Sequence, residues 1–156
     1  MVKERIRVPL IAAGGIANGR GMLAAMILGA DGVQIGSRFV ASQESSAHQA
    51  FKQEVVKAKE GDTLLTLKEL APVRLLKNNF FDQVMELYKT NPSKEQLTEL
   101  LGRARAKRGM FEGDLKEGEL EIGQVAGLIH QIKPAAEIVS EIIEEFNTLN
   151  ALRVVI

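Results

Sequence analysis

Two short apolar runs, each stopped by glycine and separated by one helix-length segment, constrain this chain more than anything else in it. Val8-Pro9-Leu10-Ile11-Ala12-Ala13 runs into Gly14-Gly15, and Gly32-Val33-Gln34-Ile35 runs into Gly36-Ser37. Apolar runs without alternation predict strands buried on both faces, as in a parallel sheet. Pro9 fits only near the start of its strand, where a missing N–H costs least. Between the runs, Met22 to Leu28 predicts a buried helix, with Asn18 as N-cap and Gly29 at its C-terminal end. One strand–helix–strand unit of this length sets the two glycine turns side by side at the carboxyl end of the sheet. Such turns can offer backbone N–H groups at close range, which is what a phosphate needs. In (β/α)8 barrels the loops after strands seven and eight build a phosphate site in this way. The bland alternative is that the glycines only make tight strand-to-helix turns. There is no G-x-G-x-x-G fingerprint, and no acidic residue ends the second strand to hold a ribose.

From Glu44 onward helical patterns dominate. Phe51, Val55 and Ala58 share one helical face, and Phe80 to Tyr88 reads as helix. Ser93 and Gln96 form a capping box for a helix running through Arg105. Residues 62 to 76 fit neither pattern cleanly, and Pro72 breaks any long helix there. Gly109 to Asp114 is expected as a glycine-punctuated loop. Gly123 to Ile132 has helical period. Pro134 opens a last helix, with Ile138, Val139, Ile142, Ile143 and Phe146 on one stripe. Only two convincing strands emerge, too few to cover each other's faces and edges. The expected remedy is strands supplied from outside this sequence, or self-association.

Composition narrows the function classes. The chain has 156 residues, 46% hydrophobic and 26% charged, enough for a real core. Twenty basic residues balance twenty acidic ones, which argues against a dedicated nucleic-acid binder. One Tyr, six Phe and no Trp make a base-stacking surface a poor fit. With no cysteine there is no disulfide framework, thiolate metal site or cysteine nucleophile. The carboxylates lack the spacing of a metal site, and none is expected. No apolar run is long enough to cross a bilayer and no signal-peptide core follows Met1, so a cytoplasmic location without membrane contact is expected.

Val8 to Gly19 is similar to the seventh strand and loop of the nitronate monooxygenase family, also called nitropropane-dioxygenase-like. Leu28 to Phe39 resembles its eighth strand with the G-[TS]-R-F element. Glu44-Ser45-Ser46-Ala47-His48 looks like its E-S-x-A-H segment, and Gly123 to Leu128 like its G-Q-x-A-G-L segment. The family includes FMN-dependent enoyl-acyl-carrier-protein reductases. The resemblance implies an α/β chain that is the C-terminal part of a TIM (β/α)8 barrel, its last two strands, with an inserted mainly helical domain. Residues 1–43 would be the last βα units, 44–122 the helical substrate or lid domain, and 123–156 helices returning to the barrel. FMN is the implied cofactor. Gly14 and Gly15 would meet its phosphate through backbone N–H groups, and Gln34, Ile35, Gly36 and Ser37 would complete the cup.

The favoured reaction is oxidation of an alkyl nitronate with dioxygen. The runner-up is reduction of an enoyl thioester with NAD(P)H. A different class is an inactive half-barrel that binds phosphate or self-associates, so the expected partner is a homo-oligomer or a missing N-terminal half. The family's catalytic histidine is expected upstream, so no catalytic residue is assigned here. His48 is expected to cap or pack, and His130 to be structural or exposed. Arg38 either forms a structural ion pair, the favoured role, or sits near phosphate. Gln124 either lines the flavin pocket or starts a helix. The cluster Arg103, Arg105, Lys107 and Arg108 is explained by solvation and a helix C-terminus.

Overall fold

A computed structural model describes residues 2–152 as an α/β chain. After a 3-10 turn at Lys3–Arg5 come β1 (Ile11–Ala13), α1 (Gly19–Ile27), β2 (Gly32–Gln34) and α2 (Ser37–Val40). Strands β1 and β2 pair in parallel, with Ala13 opposite Gln34, so both glycine turns leave the same end of the pair. Asn18 caps α1 by accepting the Gly21 N–H at 2.9 Å, and Gly29, with φ of 102°, takes the left-handed residue just beyond its end.

The expectation that both strands are buried on both faces is not met. Ile11 is 53% exposed, because no described element covers the outer face or edges of the β1–β2 pair. What does cover the unit is α7 (Ala135–Ala151), which lies along α1. A Cβ on Gly19 would collide with the backbone of Ile142 and Phe146, so that glycine is what lets the two helices approach.

The middle of the chain is not purely helical. After α3 (Gln49–Lys57), the segment that fitted neither pattern forms an antiparallel hairpin, β3 (Thr63–Thr66) with β4 (Val73–Leu76), Thr63 opposite Leu76. A third chain runs beside β4, where Leu76 N–H donates to Leu120 O and Ile122 N–H to Arg74 O, both at 3.0 Å. Four residues per strand give too short an alternation to outweigh the local helical composition. Helices α4 (Asn79–Tyr88), α5 (Lys94–Leu101) and α6 (Arg105–Met110) follow. The expected capping box of Ser93 and Gln96 is formed. The helix it starts stops at Gly102 rather than Arg105, because Gly102 adopts φ of 64°. Gly109 and Met110, expected in a loop, end α6. The helical period of 123–132 yields only a 3-10 turn at Gln124–Leu128.

Two hydrophobic clusters hold these parts. Phe80, Phe81, Val84 and Leu97 pack with Leu67 and Leu75 between the hairpin and α4–α5. Phe51, Val55 and Leu76 pack with Ala41, Leu120, Ile122, Ala126 and Ile129. The second cluster takes residues from both sides of positions 43/44 and 122/123, so one core joins the phosphate-turn segment to the middle of the chain.

Candidate functional site

Gly14 and Gly15 both hold left-handed backbone, with φ of 84° and 71°. A Cβ at either would meet nothing within 4 Å, so conformation and not crowding requires glycine there. Gly36 differs. Its φ is −103°, open to any residue, and a Cβ there would also meet nothing within 4 Å. Neither conformation nor packing within the described chain asks for glycine at 36. The missing Cβ leaves space in front of the backbone.

That space is shared. Gly14, Gly15, Gln34, Gly36 and Ser37 line one cavity of about 250 Å³, together with Ala13, Ile16 and Val125. Ile35 does not reach its wall. Ser37 is bound from across the chain, its Oγ accepting the Gly123 N–H at 3.1 Å. A Cβ on Gly123 would stand 2.6 Å from that Oγ and would turn the hydroxyl out of this setting. With a lone pair engaged, the Ser37 hydroxyl keeps its proton for an acceptor in the cavity. The first N–H groups of α2 have no acceptor within the helix, as at any helix start. The start of α1 is different, because Glu145 on α7 accepts the Gly19 N–H at 2.8 Å. A carboxylate therefore already occupies the positive end of α1. The cavity is lined by the two loops and by Ser37, the first residue of α2.

A second cavity, of about 390 Å³, shares Gly36 and Ser37 with the first and continues to Val40, Val73, Glu121 and Ile122. Burial raises the Glu121 carboxyl above its ordinary pKa.

The remaining candidates fall elsewhere. His48 caps α3, its Nδ1 accepting the Ala50 N–H at 3.1 Å. His130 is exposed on a different cavity, beside Arg38 and Lys133. Gln124 is exposed, and its neighbour Val125 lines the first cavity instead. Arg38 takes neither expected role. It is buried, makes no direct ion pair among the described residues, and donates from Nη1 to Gln131 O at 3.2 Å. Burial lowers its pKa, opposed by the charges of Glu141 and Glu137. Arg105 caps α5 from outside, donating to Leu101 O at 2.8 Å and Leu100 O at 3.0 Å, with its guanidinium 4.4 Å from the Phe80 ring centre.

Three supports of the site were missed in the sequence. Gly123 braces Ser37. Lys52, buried, donates to Gln43 O at 3.2 Å and Ser45 O at 2.8 Å, pinning the loop after α2. Glu44 accepts the Ala135 N–H at 2.8 Å and so caps α7, where Pro134 offers no side-chain cap. A lysine in an amphipathic helix gives no sign of being buried, and these partners lie too far apart in sequence to be paired by pattern.

Among the described residues no helix is long and apolar enough to cross a membrane. Residues 1–145 match the model of a family described as nitronate monooxygenase. A "Probable nitronate monooxygenase" of Staphylococcus saprophyticus is 39% identical over 110 residues, 68% of this chain and 31% of that protein. The structure of FabK from Thermotoga maritima superposes with a TM-score of 0.88 at 45% identity, covering 97% of this chain and 49% of that one. A nitroalkane oxidase from Streptomyces ansochromogenes gives a TM-score of 0.77 at 27% identity, over 97% of this chain and 43% of its own. The chain spans less than half the length of each of these relatives.

Proposed function

The chain belongs to the nitronate monooxygenase family, and we propose that it is the C-terminal part of an FMN-dependent (β/α)8-barrel oxidoreductase, the part that holds the cofactor's phosphate. In this reading β1 and β2 are the last two barrel strands, residues 44–122 are the inserted domain, and α7 returns to the barrel. An N-terminal half would supply the remaining strands and the catalytic histidine. Gly14, Gly15, Gln34, Gly36 and Ser37 form the phosphate cup, and Ile35, expected with them, stands behind its wall.

The observation that carries the reading is Gly36, a glycine that nothing in the described chain requires, at the mouth of a cavity shared with two left-handed glycines. The residues fit a phosphate: backbone N–H groups, a hydroxyl with a free proton, and no carboxylate on the cavity wall. When bound, FMN supplies the redox chemistry. This chain's residues hold its phosphate end and fix where the rest of the molecule lies.

Two substrate classes follow from the family. One is an alkyl nitronate, oxidised with dioxygen. The other is an enoyl thioester, reduced with NAD(P)H. Crotonyl-thioester-dependent oxidation of NAD(P)H, measured beside nitronate-dependent oxygen uptake, separates the two.

The cup itself is tested by titrating the protein with FMN and with riboflavin, which lacks the phosphate, and following flavin fluorescence. FMN is expected to bind at least about tenfold more tightly, about 1.4 kcal/mol. Gly36→Val is expected to erase that difference, and Gly36→Ala, whose Cβ meets nothing in the protein, to leave the melting temperature unchanged. Equal binding of the two flavins would remove the phosphate assignment.

A further inference from the structure

A cavity of about 320 Å³ lies between the start of α1, the segment 128–133 and α7, and it shares no lining residue with the phosphate cup. Arg38, Lys133, Glu141 and Glu145 bring charge to its wall. Three of these are engaged. Lys133 is paired with Glu137 at 2.8 Å and with Glu141. Glu145 accepts the Gly19 N–H at 2.8 Å and stands 4.0 Å from Arg20 Nε. Arg38 is left over. It is 9% exposed, and among the described residues its hydrogen bond is the one from Nη1 to Gln131 O at 3.2 Å. A buried guanidinium with one protein acceptor has most of its N–H donors unmet. Among the described residues no side-chain nitrogen is both sealed from solvent and without a partner, so the unmet edge of Arg38 is open, and this cavity is the space it lines. Asn18 uses Oδ1 to accept the Gly21 N–H, which leaves its NH2 group as a second donor at the wall. Ala17, Ile138 and Ile142 supply an apolar side.

We propose that this cavity binds a small monocarboxylate, with the carboxylate on the Arg38 guanidinium and a short alkyl chain against Ile138 and Ile142. The planar fork of a guanidinium matches the two oxygens of a carboxylate in a bidentate pair. Phosphate, which carries more than one charge near neutral pH, is the poorer ligand, because Glu141 and Glu145 share the wall and repel the second charge. A single negative charge answers the single unpaired cation. The loop after β1 separates the two sites. Ile16 lines the cup and Ala17 and Asn18 line this cavity, so both can be filled at once.

The test follows the Ile138 and Ile142 methyl signals by NMR, in protein labelled at isoleucine methyl groups. Butyrate, butyramide and inorganic phosphate are titrated at pH 7, with and without FMN in excess. Butyrate is expected to shift both signals and to bind at least about tenfold more tightly than butyramide or phosphate, about 1.4 kcal/mol. Arg38→Lys, which keeps the charge and loses the fork, is expected to weaken butyrate at least about fivefold. If that variant melts early, nuclear Overhauser contacts between butyrate and the Ile142 methyl group in wild-type protein decide the matter. Equal affinity for butyrate and butyramide, a stronger response to phosphate, or unmoved isoleucine signals would overturn the proposal. So would loss of butyrate binding when FMN is added, which would assign the carboxylate to the cup. Failure of FMN itself to bind would remove the cofactor reading and leave this site standing.

Discussion

Single residues in this chain often do work that their type does not announce. Glu119 is a case with a measurable consequence. Its carboxyl is buried beside Glu121, and its pKa is pushed up to about 7, by desolvation first and then by the charge of Glu121, with Arg105 opposing. An unfolded chain releases that proton near 4.5, so between 4.5 and about 7 the folded state holds more protons than the unfolded one. Stability from this group is therefore fully present below 4.5 and is lost as pH rises toward 7. Glu119→Gln is expected to be more stable than wild type at pH 8, by about 1–3 kcal/mol, and to match it near pH 4. Urea unfolding at the two pH values checks this, and a constant difference would refute it. Asn78 is a second case. Its Oδ1 caps α4 by accepting the Phe81 N–H at 2.9 Å, while Nδ2 donates to Leu115 O at 3.0 Å and Gly118 O at 2.8 Å. Asn78→Ala therefore loses a cap and leaves two carbonyls short of a donor, a combined cost of about 2–4 kcal/mol. Asn78→Asp keeps the cap but not the donors, and is expected to fall between the two in thermal melts. The N-cap role could have been read from the sequence. The clamp on residues 115–118 could not, since nothing local links positions so far apart.

At the scale of elements, legibility followed hydrogen-bond locality. Helices α1, α4 and α5 carry their own signals, because caps and periodicity act within a few residues. The hairpin β3–β4 was not legible, since its strands are short and its third neighbour arrives from residues 120–122. Strands β1 and β2 were legible as strands but not in their exposure, since among the described residues no element covers their outer face. The α1–α7 contact offers the sharpest test at this scale. Gly19→Ala drives a methyl group into the backbone of α7, and overpacking of this kind costs about 1–3 kcal/mol. The melting temperature is expected to fall, and Gly21→Ala on the same helix, where the nearest atom stands 3.4 Å away, is expected to cost less. Equal losses would mean that the helices do not meet at Gly19.

At the scale of the whole molecule, the described residues make two hydrophobic clusters attached to a parallel strand pair with bare edges. The candidate phosphate cup was legible here in outline, because paired glycine turns are a local signal repeated at the spacing of one strand–helix unit. Its wall at Val125 and its brace at Gly123 were not, because both come from the far side of the hairpin and helices. Exposed Val8 and Ile11 beside open strand edges make the isolated chain adhesive. It is expected to bind an apolar dye such as anilinonaphthalene sulfonate and to grow in mass with concentration by light scattering. Ile11→Lys should reduce both. A dye-silent monomer would mean that this face needs no cover.

The hydroxyl of Ser37 and the amide of Gly123 that completes its setting are 86 positions apart. During synthesis at roughly 5–20 residues per second, the serine leaves the peptidyl-transferase centre on the order of ten seconds before its partner is even made. A nascent chain thus holds both glycine turns before the amide that braces Ser37 exists. A ribosome stalled between residues 37 and 123 would release a product with both turns and without the brace.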